Sequence, residues 1–254
     1  YAMMCLPAQG FNVVSSVGAM GSILSGSTIP VQSVFYYVVS LVVIVLVTVM
    51  AFGGIRRIAA VSNKLVPVMA VIYVLTVVSL ILINLDNVPY FFSAVFKGAF
   101  TPEAVFGGAF GTVLMQGVKR GLMSNEAGQG TITMPAAAAE AKHPCEQGII
   151  SAIGVFLDTH VICTMTGLAI VLTQSYTTGL DGAAMTTHAF SVGLFIPLIG
   201  KYIVNIGLVF FAFTTIIGWN YYGERCMYYL KGLKAVKIYK IVYIIFIAIG
   251  PFIS

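Results

Sequence analysis

Asp158 stands in the apolar stretch IGVFLDTHVICTMTGLAIV, with Thr159 and His160 beside it. A carboxylate at that depth is expensive to leave unpaired, which makes it a functional candidate by default. Its nearest sensible counter-charges are Lys119 and Arg120 in GVKRGLMSNEAGQGT, residues 117–131, and a pairing that holds the inner half closed is expected. The same stretch contains glycines that weaken a helix. Where a helix breaks inside a membrane, its freed N–H and C=O ends face a protein-lined cavity and are ready ligands for ions and carboxylates. Gln116 and Gly117 are assigned to such a cavity. For Ser124 to Gly130 a second reading stands equally: a helix cap, with Ser124 or Asn125 at the N-cap and Glu126 near the positive helix end. Thr215 and Trp219 are four apart and share one helix face. His160 reads as a polar packing residue.

The composition decides what elements position these groups. Only 8% of the residues are charged and 59% are hydrophobic, and the mean hydropathy is +0.99. This is the composition of an integral membrane protein. The apolar runs have helix length rather than ten-residue alternation, so an all-α polytopic bundle is expected instead of a barrel. The net charge of +5 resides mostly in short segments between apolar runs, where basic residues report orientation; no nucleic-acid partner is implied. Cys5, Cys145, Cys163 and Cys226 are scattered without a C-x-x-C pair and read as apolar packing.

Seven membrane passages are predicted, over 1–24, 32–53, 65–85, a broken one over 102–141, 147–173, 200–223 and 236–254. As one straight helix, 102–141 would be about 60 Å long, roughly twice the hydrocarbon thickness. Gly107, Gly108, Gly111, Gly117, Gly121, Gly128 and Gly130 are its weak points. GGIRRIAAVSNK, AEAKHPCEQ and GERCMYYLKGLKAVKIYK are basic, whereas the intervening loops contain only Lys97. The first set is therefore cytoplasmic and the first passage runs outward. The aromatic segment 88–100 suits a helix at the outer interface, and 187–199 an outer re-entrant turn. Both ends stop within apolar runs, as expected for a piece of a longer protein.

GVKRGLMSNEAGQG, AAAAEAKHP, FLDTHVICTMTGL, GGIRRIAAVSNKLVPVMAVIY and TTIIGWNYYGERCMYYLKG together resemble the alanine or glycine:cation symporter family, the sodium:alanine symporters. The resemblance covers nearly the whole chain. It implies a LeuT-type inverted-repeat bundle in which the seven passages are similar to helices 3 to 9. Residues 1–86 would then be the rest of the first repeat and 102–254 most of the second, within a single transmembrane domain. It further implies that Gln9 and Asn12, in AQGFNVV, line a substrate pocket, an amide being able to serve both ends of a zwitterion. Thr214 and Thr215 resemble the hydroxyl pair beside a sodium ion, since a hard cation prefers oxygen; Thr215 and Trp219 would line the substrate site. The plain alternatives are an interhelical hydrogen bond for Gln9, back-bonded threonines, and an interfacial anchor for Trp219.

The resulting expectation is a secondary symporter in the inner membrane that takes up alanine or glycine with Na⁺ or H⁺ by alternating access, as a monomeric transport unit without a cofactor. The competing classes are a channel-like pore and an intramembrane enzyme. His143, His160 and His188 offer no H-E-x-x-H spacing, and no short repeat suggests a filter.

Overall fold

The computed structural model describes residues 2–27, 29–30, 33–100 and 110–250. All regular structure among them is helical: α1 (Ala2–Ser25), α2 (Val34–Ile83), α3 (Val88–Phe100), α4 (Phe110–Ser124), α5 (Glu126–Gln129), α6 (Thr133–Ala136), α7 (Pro144–Val155), a π-helical segment Phe156–Cys163, α8 (Thr164–Leu172), α9 (Gly182–Gly193) and α10 (Pro197–Ile249). Among the described residues three helical runs are long and apolar enough to cross a membrane: Val34–Ile83, Pro144–Leu172 and Pro197–Ile249. Their composition leaves no alternative to internal hydrogen bonding, because apolar surroundings satisfy no backbone group.

α2 and α10 have 50 and 53 residues, far more than the roughly 20 that one crossing needs. Each is broken once, at Gly54 (φ 71, ψ 180) and at Gly232 (φ 70, ψ −167). That backbone region is essentially reserved for glycine. α10 folds back on itself: Glu224 and Lys240, equally far on either side of Gly232, form an ion pair of 3.0 Å, and the Tyr243 hydroxyl donates to the Ile216 carbonyl. The segments expected as basic loops are thus mostly helix. Their cations also lie beside these breaks. Arg57 Nη1 donates to the Val49 carbonyl at 3.2 Å, and Lys240 lies over the Phe52 ring.

No atom lies within 4 Å of the place a Cβ on Gly54 would occupy, so Gly54→Ala tests backbone strain alone. It should cost about 1–3 kcal/mol, seen as a lower Tm of the full-length protein in detergent. An unchanged Tm would mean that this break tolerates an ordinary residue.

Three apolar clusters hold the bundle. Leu6 and Val13 of α1 meet Val43 and Val47 of α2 and Ile216, Tyr239 and Tyr243 of α10. Tyr73, Val77 and Leu80 meet Leu172, Phe190 and Val204. Met50 and Ile58, on the two sides of the Gly54 break, meet Ile217 and Tyr221. α10 supplies residues to all three clusters and is the element around which the others are placed.

The segment 187–199, expected as an outer re-entrant turn, is a helix, a short connection and the start of a second helix. It comprises the second half of α9, three connecting residues with extended backbone at Leu194 and Ile196, and the first turn of α10, which begins at Pro197. Proline suits that first position, having no N–H to leave unsatisfied. Cys145, Cys163 and Cys226, expected as apolar packing, are free thiols on exposed positions, and Cys163 Sγ lies 3.3 Å from Ser124 Oγ. Gly107 and Gly108 and the side chain of Cys5 lie outside the described residues.

Candidate functional site

The break in the fourth predicted passage falls at Asn125 and Gly130, not at Gln116-Gly117. Gly111, Gly117 and Gly121 are carried within α4, where Gln116, Gly117 and Lys119 occupy exposed positions. A glycine inside a helix costs only about 1 kcal/mol relative to alanine, so it permits a break without forcing one. Asn125 forces it. Its backbone is extended (φ −137, ψ 160) and its Oδ1 accepts from the Gly128 N–H at 3.0 Å, capping the short α5. The other end of the same amide, Nδ2, donates to Thr159 Oγ1 at 2.9 Å. Ser124 Oγ is 3.3 Å from the same hydroxyl. α5 ends at Gly130, whose left-handed backbone (φ 77) returns two amide groups toward the helix.

Glu126, in the first turn of α5, accepts a 2.6 Å hydrogen bond from the Tyr222 hydroxyl of α10. Tyr222 was not singled out from the sequence. The available signal was its position three residues beyond Trp219, on the same helix face. Thr159 was noticed only as a neighbour of Asp158, yet it receives the broken helix. It belongs to the eight-residue π-helical segment Phe156–Cys163, a widened register that often marks functional sites and has no signature in hydropathy.

These elements enclose a cavity of about 550 Å³, within the range of small-molecule sites. Into it come Gln9 from α1, Asn125 and Glu126 from the break, Asp158 from the π-helical segment, and Thr215 and Trp219 from α10. Four separate stretches of sequence thus supply one pocket. Trp219 is 9% exposed. The Thr215 hydroxyl donates to the Phe211 carbonyl at 2.8 Å, which leaves its oxygen lone pairs free to face the cavity. Asp158 also lines a smaller adjoining cavity of about 240 Å³ that reaches Tyr73 and Thr166.

Other sequence candidates stand apart. Thr214 is not on the cavity wall, and its hydroxyl donates to the Phe210 and Phe211 carbonyls. Asn12 lies about a turn from Gln9 and off the wall; its carbonyl accepts from Ser15 Oγ at 3.2 Å. The pairing of Asp158 with Lys119 or Arg120 does not form: among the described residues the ion pair is Lys240 with Glu224. Successive helical side chains point roughly 90–100° apart, so a Thr159 that faces α4 turns Asp158 away from it. Arg120 instead lines an adjoining cavity of about 780 Å³ with Gln9, Thr159 and Trp219. His160 stacks on Phe156 of its own segment at 5.3 Å between centroids, both on exposed positions.

The comparisons with known proteins agree with one another. A sequence model of the Sodium:alanine symporter family matches residues 2–254. The chain is 46% identical over 221 residues to an uncharacterized transporter of Haemophilus influenzae, covering 85% of this chain and 48% of that protein. It is 42% identical over 197 residues to the sodium/alanine symporter AgcS of Methanococcus maripaludis, covering 76% and 43%. To the sodium/proton-dependent alanine carrier protein of Bacillus sp. (strain PS3) it is 40% identical over 193 residues, covering 70% and 43%. The chain spans a little under half the length of each of these relatives. With broken helices, a polar cavity among them and a family match along essentially its whole length, the chain belongs to the sodium:alanine symporter family.

Proposed function

We propose that this chain is the central part of a Na⁺-coupled symporter that takes up a small neutral amino acid, alanine or glycine, by alternating access. The family is one of transporters and not of enzymes. The observation that carries the reading is the convergence of Gln9, Asn125, Glu126, Asp158, Thr215 and Trp219 on one cavity at a helix break. An amide and hydroxyls serve a zwitterion, oxygen ligands serve Na⁺, and the indole limits side-chain size. Relatives named as sodium/alanine and sodium/proton-dependent alanine carriers support the same substrate and ion.

In this reading the protein is a multi-pass inner-membrane protein with a LeuT-type inverted-repeat arrangement and a monomeric transport unit, the basic segments facing the cytoplasm. Segments outside this chain supply the remaining ligands. The bundle rocks about the cavity once ion and substrate are bound, and the Tyr222–Glu126 bond, which joins the broken helix to α10, is a contact that such rocking makes or breaks.

Uptake of labelled alanine into proteoliposomes containing the full-length protein, with and without an imposed Na⁺ gradient, tests the proposal. Gradient-driven, saturable accumulation is expected. Accumulation driven equally by a proton gradient alone would move the coupling to H⁺, and non-saturating flux would favour a channel. Thr215 provides the residue-level test. Thr215→Val keeps the branched shape and removes the oxygen, so the Na⁺ concentration for half-maximal uptake should rise about tenfold, the equivalent of one ligand contributing roughly 1.4 kcal/mol. An unaltered Na⁺ dependence at equal protein abundance would leave helix packing as its role.

A further inference from the structure

A second cavity, of about 460 Å³, opens between α1, α9 and α10. It is a separate space from the candidate site: along α10 its wall residues Lys201 and Asn205 precede Thr215 by ten or more positions, about 15 Å at 1.5 Å per residue. Among the described residues its lining has one lysine, Lys201, and no carboxylate. Lys201 is half-buried and has no acidic partner among the described residues, where the ion pair is Lys240 with Glu224. Asn205, itself 3% exposed, donates its amide to the Lys201 carbonyl at 2.8 Å and so fixes the turn of α10 from which the lysine projects. Asp181, the acidic residue nearest in sequence to this wall, is exposed at the N-cap of α9 and is not part of the lining.

Three of the four hydroxyls on this wall differ from most of those elsewhere in the molecule; the fourth, Ser15, donates to the Asn12 carbonyl of its own helix at 3.2 Å. Serine and threonine in apolar helices ordinarily return their proton to their own helix, and Ser22, Ser40, Thr48, Thr76, Thr186 and Thr215 all do so. Ser16, Thr187 and Ser191 line the cavity and make no such bond among the described residues. Ser16 is 3% exposed; Thr187 and Ser191 are four apart on one face of α9. His188 has Nδ1 3.0 Å from Ser175 Oγ, which leaves Nε2 as its other polar atom. Each hydroxyl can donate as well as accept, so the three can turn their protons toward a ligand, while among the described lining residues no carboxylate balances the charge of the ammonium group. What completes such a set is an acceptor bearing negative charge. A Na⁺ ion or a substrate ammonium group would meet Lys201 with like charge.

We propose that the cavity between α1, α9 and α10 binds a small, singly charged anion, held by the Lys201 ammonium group and the hydroxyls of Ser16, Thr187 and Ser191. Halide and the carboxylate of a small acid share this chemistry. The site goes beyond the transport reading and does not depend on which amino acid is carried.

The test uses the full-length protein in detergent micelles with chloride as the probe, read by broadening of the ³⁵Cl NMR line and not by transport. Saturable broadening above that of empty micelles is expected. It should disappear in Lys201→Gln, persist in Lys201→Arg and weaken severalfold in Thr187→Ala/Ser191→Ala, neither residue being a member of a core cluster. Loss of the broadening on adding acetate identifies a site that takes carboxylates as well; persistence identifies a halide site. Broadening in wild type no greater than in Lys201→Gln means that the cavity holds water only and overturns the proposal. Loss in both Lys201→Gln and Lys201→Arg, each eluting as wild type does on size exclusion, overturns it too, since charge would not be what holds the ion.

Discussion

Trp219→Ala in the full-length transporter is expected to reverse the ranking of substrates, with valine and leucine gaining on alanine by about tenfold or more. The indole is almost wholly buried and lines the cavity opposite the break. Its removal opens space on the scale of a leucine side chain. A pocket separates ligands differing by one methylene by only about 1–3 kcal/mol, so a truncation of this size exceeds what holds the original order. Competition of leucine, valine and glycine against labelled alanine, normalised to protein in the membrane, measures it. If Trp219 served only to anchor its helix at an interface, abundance and total uptake would fall together and the ranking would stay as it was.

Asp158→Asn is expected to reduce Na⁺-driven uptake at least tenfold, which corresponds to about 1.4 kcal/mol or more of lost stabilisation. The carboxylate is half-buried and faces two cavities. Among the described residues it has no cationic partner. A charge in that position needs compensation, and in the proposed mechanism the transported cation or the substrate ammonium group provides it. Asparagine keeps the shape and hydrogen-bonding capacity while removing the charge. Uptake within twofold of wild type at equal abundance would make Asp158 a packing residue, and cation binding would then rest on other groups.

Much of the architecture was legible in the sequence because one constraint dominates it. Apolar surroundings satisfy no backbone group, so long apolar runs become helices, and glycines in basic intervals become the points at which those helices turn. Gly54 and Gly232 obey that logic: each lies within a basic stretch and each adopts a backbone closed to other residues. Asp158 was readable for a related reason, since a carboxylate at membrane depth needs a purpose; Gln9, Thr215 and Trp219 were readable through the family resemblance, and the structure brings all four to one cavity.

What the sequence by itself left open was which weak point breaks and which way a side chain turns. Gly117 and Asn125 both interrupt the apolar pattern, yet a break survives only where the freed polar groups find new partners. Those partners come from distant chain: Thr159 for Asn125 and Tyr222 for Glu126. Among the described residues Gln116 and Gly117 have no such side-chain partners, and α4 stays regular through them. Likewise, Asp158 lies in a π-helical segment whose Thr159 meets the broken helix, a register that hydropathy does not encode; the aspartate lines the pocket, and among the described residues it forms no ion pair with Lys119 or Arg120. Composition therefore determined the elements, through the cost of unsatisfied backbone in an apolar medium. Tertiary structure decided the site, because satisfying a broken helix takes hydrogen bonds from residues that sequence order does not place nearby.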